Sequence, residues 1–240
     1  MVLAVITDAG IEELNMTLLA LSPPARRTRI EPIGREQRLA LRAIDWTTYQ
    51  AISKALTGQH VRLTYDRGRL EFMTISSKDG RLSRLIAQLV AAIADEMGIP
   101  RAQFGDMTCD NEAAMRGLEP DECFYLENEP RVRGQDEIDL TVDPPPDLAV
   151  EIEISPAPRN RMEIYAALRI REVWRFDGTR LSVHQLSDSG EYTESTQSRY
   201  FPKIEVAGLL EFIERRTQTD ENSLLKSFRE WVRQQLATRP

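Results

Sequence analysis

The sequence predicts an α/β domain, and three observations carry that reading. Between Asp147 and Ile154 apolar and acidic residues alternate, so Leu148, Val150, Ile152 and Ile154 fall on one side of a strand and Asp147, Ala149, Glu151 and Glu153 on the other. Leu82, Leu85, Ile86, Leu89, Ile93 and Met97 recur at helical spacing, which gives a helix with one broad apolar stripe that packs on a sheet. Asp66-Arg67-Gly68 and Asp177-Gly178 each join two short alternating runs, the composition of tight hairpins.

Taken in order, the chain begins with an arm over residues 1–38 that mixes Pro23-Pro24 and Pro32 with Arg26, Arg27, Arg29, Arg35 and Arg38 and shows no sustained period. It reads as a solvated tail or as a contact to a nucleic-acid backbone. The main domain is expected over residues 39–217. Asp45 caps a helix through Trp46, Tyr49, Ile52 and Leu56 that stops at Gly58. Val61–Tyr65 and Leu70–Met73 form the first hairpin, and the long helix ends at Gly98. Leu118–Leu126 is the next strand, and it neighbours the acidic strand. A short helix at Met162–Leu168 leads to the hairpin Trp174–Leu186, followed by a strand near Tyr192 and a helix over Val206–Arg216. Residues 218–240, with Leu224, Leu225, Phe228, Trp231 and Val232 on one side, form a C-terminal amphipathic helix packed on the domain or on a partner subunit. Apolar surface on the second hairpin and on this helix predicts a homodimer.

Composition narrows the class. The 240 residues carry a net charge of -7, which argues against a broad, sequence-independent grip on nucleic acid and leaves room for a local basic patch. Only Lys54, Lys78, Lys203 and Lys226 are lysines among 31 cationic residues, and arginine suits phosphate and carboxylate alike. No apolar run reaches the ~20 residues of a membrane span. The first residues lack a basic leader, and Cys109 and Cys123 make neither a disulfide framework nor a zinc cluster, so the expected location is cytoplasmic. His60 and His184 have no nucleophile context.

The chemistry lies in the acids. Three carboxylates on one strand face repel, and a half-buried one without a partner is costly. That face therefore expects a bound cation or a ring of arginines, unless it is an edge that water covers. Asp121 and Glu151, on neighbouring strands, bring two carboxylates to one sheet end, the minimum for Mg2+. Such an ion polarises a phosphoryl oxygen and activates a water, so a phosphodiester is the natural substrate. Removing either crowded acid is expected to lower the thermal midpoint little. Glu71 is either a third acid of this site or a partner of Arg62 or Arg69.

Glu119-Pro120-Asp121-Glu122-Cys123-Phe124-Tyr125, then Pro144-Pro145-Pro146-Asp147-Leu148-Ala149-Val150-Glu151-Ile152, then Ile164-Tyr165-Ala166-Ala167-Leu168 before Glu172-Val173-Trp174-Arg175 resembles the Uma-type restriction endonucleases of the PD-(D/E)XK nuclease superfamily, over about Asp45 to Ile213. The resemblance implies a mixed central β-sheet flanked by α-helices, restriction-endonuclease-like, with the second hairpin and the amphipathic helix as C-terminal extensions. It implies Mg2+- or Mn2+-dependent hydrolysis of nucleic acid, DNA in preference to RNA, and self-association. Asp121 and Glu151 become metal ligands, with the carbonyl of Ile152 as a third, and Glu71 the first-motif acid. Two departures stand out. Glu153 occupies the position of the superfamily lysine, as an extra ligand or a base that orients water, with Arg159 or Arg161 the nearby sources of positive charge. Gly80-Arg81 stands where relatives show a His-Glu pair. A catalytically inactive binding or assembly module on the same fold is the alternative function.

Overall fold

The computed structural model describes residues 38–74, 77–105, 107–154 and 160–238. The arm expected over residues 1–38 lies outside the described residues apart from Arg38, and so does Arg159. The described chain runs β1 (Arg38–Leu41), α1 (Trp46–Leu56), β2 (Val61–Asp66), β3 (Arg69–Thr74), α2 (Ser77–Met97), β4 (Ala102–Gln103), β5 (Cys109–Asn111), β6 (Arg116–Leu118), β7 (Glu122–Tyr125), α3 (Glu129–Val132), β8 (Leu148–Ile152), α4 (Arg161–Ala167), β9 (Glu172–Phe176), β10 (Leu181–Leu186), β11 (Tyr192–Ser195), a 3-10 turn (Val206–Gly208), α5 (Leu209–Arg215) and α6 (Glu221–Thr238).

The expected α/β architecture is present, with the strands divided between two sheets. An antiparallel sheet has the order β1-β3-β2-β6-β5, and a mixed sheet has the order β11-β10-β9-β8-β7-β4 with β8 and β9 parallel. Both hairpin turns form where their residues require. Arg67 and Gly68 both take positive φ, as a two-residue turn matching strand twist demands. At the second turn the Asp177 carboxylate accepts from the amides of Thr179 and Arg180. The Asp45 carboxylate caps α1 by accepting from the Thr48 amide at 2.7 Å. Tyr49 of α1 stacks on Tyr65 of β2 with ring centroids 4.6 Å apart.

The run Leu118–Leu126 is two strands, not one. β6 belongs to the antiparallel sheet and β7 to the mixed sheet, with Glu119-Pro120-Asp121 between them. Pro120 has no amide hydrogen for a ladder, and the chain leaves one sheet there before joining the other. This break sets Asp121 at the junction of the two sheets.

The alternation in β8 sorts its residues as expected. Leu148, Val150 and Ile152 enter a large core with α2, α5 and α6, whereas Ala149 faces a smaller cluster with Cys109, Leu118, Ile164, Tyr165 and Val173. Glu151 shares the side of Ala149, toward α4 and the first sheet. Ile154, expected on the core side, lies past the strand end and is 40% exposed.

The surfaces that argued for a homodimer are covered within the chain. Trp174, Phe176, Leu181 and Val183 of the second hairpin, and Leu224, Phe228 and Val232 of α6, are buried in the large core. The apolar periodicity was real: α6 packs against α2 and α5, and β10 of the hairpin against the 3-10 turn. Among the described residues the exposed large apolar side chains are Leu39, Leu41, Val142 and Ile154, spread over three segments.

Candidate active site

Asp121 is fixed by its backbone and by both carboxylate oxygens. Its amide donates to the Val150 carbonyl at 3.1 Å, and Oδ2 accepts from the Ile152 amide at 2.6 Å. Oδ1 is ion-paired with Nη1 of Arg62, which rises from β2. The acid is 5% exposed and Arg62 is equally buried.

Glu151, 4% exposed, is held from α4. Arg161 and Tyr165 are four residues apart and so share one helix face. The Tyr165 hydroxyl donates to Glu151 Oε2 at 2.5 Å, Arg161 Nη2 donates to the same oxygen at 3.2 Å, and Arg161 Nε lies 2.8 Å from Oε1. The guanidinium is anchored in turn by the Thr64 hydroxyl oxygen at 2.6 Å and the Glu119 carbonyl at 2.9 Å. Burial opposes a charged guanidinium, but the adjacent Glu151 carboxylate outweighs it and raises the Arg161 pKa further. Burial first, and then the same carboxylate, push the Tyr165 pKa well above that of a free phenol. Tyr165 is therefore a proton donor to Glu151 and stays protonated.

The other two candidate acids flank this pair. Glu71 directly opposes Thr64 in the β2–β3 register, which places it on the same sheet face as Arg62, and it pairs with Arg38 at 3.1 Å and Arg69 at 3.6 Å. Glu153 pairs with Arg175 of β9 at 2.9 Å, at a partly exposed rim. The ring of arginines is thus the arrangement observed, and four candidate acids each have one. Asp147, on the same face at the other end of β8, is structural: its carboxylate accepts from the amides of Leu126 and Asn128 and from the Asn128 side chain.

Two carboxylates and a main-chain carbonyl are hard oxygen donors, a set that suits Mg2+ or Mn2+ with several waters retained. Asp121, Glu151 and the Ile152 carbonyl offer that chemistry, although the Ile152 group bonded to Asp121 is its amide. Among the described residues no three His, Cys, Asp or Glu side chains converge as a ready metal cage. A cation at these acids competes with Arg62 and Arg161.

Arg62, Thr64 and Tyr165 had no site role in the sequence reading. The four-residue spacing of Arg161 and Tyr165 was the available signal for Tyr165. Arg62 could not be placed from local sequence, because its partner lies 59 positions away across a sheet boundary. Cys109 and Cys123 are buried, and a ring nitrogen of His184 lies 3.0 Å from the Ser182 hydroxyl.

The mixed sheet flanked by helices makes the domain restriction-endonuclease-like. The family model Uma2, described as "Putative restriction endonuclease", matches residues 46–215, and the chain belongs to that family. No curated protein matches the chain.

Proposed function

We propose that the protein is an endonuclease that hydrolyses DNA phosphodiester bonds with Mg2+ or Mn2+ at Asp121 and Glu151. The observation that carries this reading is the bond from the Ile152 amide to Asp121 Oδ2, which locks one acid beside the strand residue that follows the other. Membership of a restriction-endonuclease family supports a nuclease. The cation would be held by Asp121, Glu151 and the Ile152 carbonyl, and it supplies Lewis-acid polarisation of the phosphoryl oxygen and a water of lowered pKa. Tyr165 aims Glu151 by donating to it. Arg161 supplies the fixed positive charge that lysine gives elsewhere in the superfamily, but as a permanent cation it cannot accept a proton. Proton acceptance falls to Glu153 at the rim or to a second water, and Glu71 steadies Arg38 and Arg69 on the flank.

Nicking of supercoiled plasmid in Mg2+ or Mn2+ tests the reading. The parent should cut, and Asp121→Asn and Glu151→Gln should each reduce cutting by about 100-fold or more, as loss of transition-state charge stabilisation does. Undiminished cutting by the double variant would remove these acids from the site. The second reading, an inactive binding or assembly module, is favoured by the Glu153–Arg175 pair, which fills the lysine position with a neutralised acid. It predicts no cation-dependent cutting by the parent and duplex binding unaffected by Asp121→Asn.

A further inference from the structure

The arginines at the acid pair have donor capacity that the acids do not use. Arg62 is 5% exposed, yet its Nε–H has no acceptor among the described residues, and its Nη2 reaches the Asp121 carbonyl only at 3.5 Å. Arg161 Nε is near Glu151 Oε1 but off the line of a hydrogen bond. Arg69, on the same sheet face as Arg62, also buries an Nε–H without an acceptor among the described residues. A buried unsatisfied donor is costly, so Arg62 and Arg69 on one sheet face, with Arg161 reaching that face from α4, make a strained arrangement. The acids differ: both oxygens of Asp121 are engaged, and Glu151 Oε2 accepts from Tyr165 and Arg161 while Oε1 is ion-paired with Arg161. The orphan atoms are donors, and they suit a ligand with several acceptor oxygens, which a phosphodiester has and a bare cation has not.

We propose that Arg62 and Arg161 exchange partners when nucleic acid and a divalent cation bind together. This rests on the nuclease reading above. The carboxylates of Asp121 and Glu151 pass to the cation, and the two guanidiniums pass to the non-bridging oxygens of the phosphodiester. Charge balance makes the exchange joint. A cation entering alone strands two buried guanidiniums, and a phosphate entering alone strands two buried carboxylates, and unpaired buried charge is strongly unfavourable. Each ligand therefore strengthens binding of the other, by the same factor in both directions. Arg62 is in this account a substrate-binding residue that guards a metal ligand until substrate arrives.

The test compares the parent with Arg62→Met and Arg62→Lys, the second retaining charge should the first fail to fold. Mn2+ binding without DNA is read from the electron paramagnetic resonance of the free ion, and binding of a labelled short duplex by anisotropy with and without Ca2+. The parent should bind Mn2+ weakly alone and bind duplex about tenfold or more tightly with Ca2+, within the usual range of coupling. Arg62→Met should bind Mn2+ about tenfold or more tightly than the parent without DNA, should gain thermal midpoint on adding Mn2+, and should lose most of the Ca2+ effect on duplex binding. Arg62→Lys should fall between. Equal Mn2+ affinity in the parent and whichever variants fold, with cation-dependent plasmid cutting intact, overturns the exchange and leaves the nuclease reading standing. No cation binding in any of the proteins and no cutting overturns both.

Discussion

The two oxygens of the Asp121 carboxylate are divided between the Arg62 guanidinium and the Ile152 amide, and that division reverses the expected effect of removing the acid. Crowded carboxylates alone predict relief on truncation. With each acid paired, truncation instead leaves a buried arginine uncompensated, so Asp121→Ala should cost about 3–5 kcal/mol in urea unfolding. Tyr165→Phe removes one hydrogen bond to a carboxylate and should cost about 1.5–3 kcal/mol. At the rim the sign of risk differs. Glu153→Lys replaces half of a partly exposed ion pair worth about 0–1 kcal/mol, so the fold should hold, and a midpoint drop as large as that of Asp121→Ala would show that the rim is a core position. Gly117→Ala should destabilise by about 1–3 kcal/mol, because the new Cβ would stand 2.4 Å from the Tyr49 hydroxyl and 2.8 Å from Asp110 Cβ. At this scale the pairing of Glu71 with Arg69 was legible in the sequence, and the partner of Asp121 was not. Glu151 lies on an alternating strand that announces itself, but Arg62 meets Asp121 only because two sheets abut.

Elements with strong periodicity were legible, and a break in a strand was not. The stripe of α2, the cap of α1 and both hairpin turns follow from side-chain spacing and turn chemistry. Leu118–Leu126 reads as one strand because apolar residues surround Pro120, whereas the proline hands the chain from one sheet to the other. That same break places the first acid. The C-terminal helix α6 is fastened to α2 by Arg229 to Asp95 and Glu96 and by Arg233 to Glu96. Burial alone would raise the Asp95 pKa, but Arg229 and Arg101 hold it below the usual range, and the hydrogen bond from Arg233 does the same for Glu96. A folded pKa below the unfolded one gives stability that is full above the unfolded value, near ~4, and is lost as pH falls through the folded value. The fastening should therefore fade below about pH 4. Arg229→Ala with Arg233→Ala should lower the thermal midpoint slightly near neutrality, and the gap to the parent should close in acid and in high salt. Thermal midpoints across that pH range check it, and a gap that widens in acid would contradict the sign.

At the scale of the molecule, a parallel pair at the centre of a mixed sheet puts the carboxyl end of β8 beside α4, and a second sheet supplies Arg62 and Thr64 from the opposite side. The family resemblance carried the mixed sheet. It did not carry the two-sheet junction, which depends on tertiary contacts between residues far apart in sequence. The apolar faces of the second hairpin and α6 serve this chain's own core, so they no longer argue for a dimer. The central claim is that Asp121 and Glu151 form a divalent-cation site for phosphodiester hydrolysis, closed by arginine until substrate binds. Anomalous diffraction from crystals grown with Mn2+ and a short DNA duplex tests it most directly. The account predicts an ion about 2.0–2.2 Å from carboxylate oxygens of both Asp121 and Glu151, with Arg62 moved onto a phosphate oxygen. Ordered duplex in the crystal with Arg62 still on Asp121 and no ion between the two acids would contradict it.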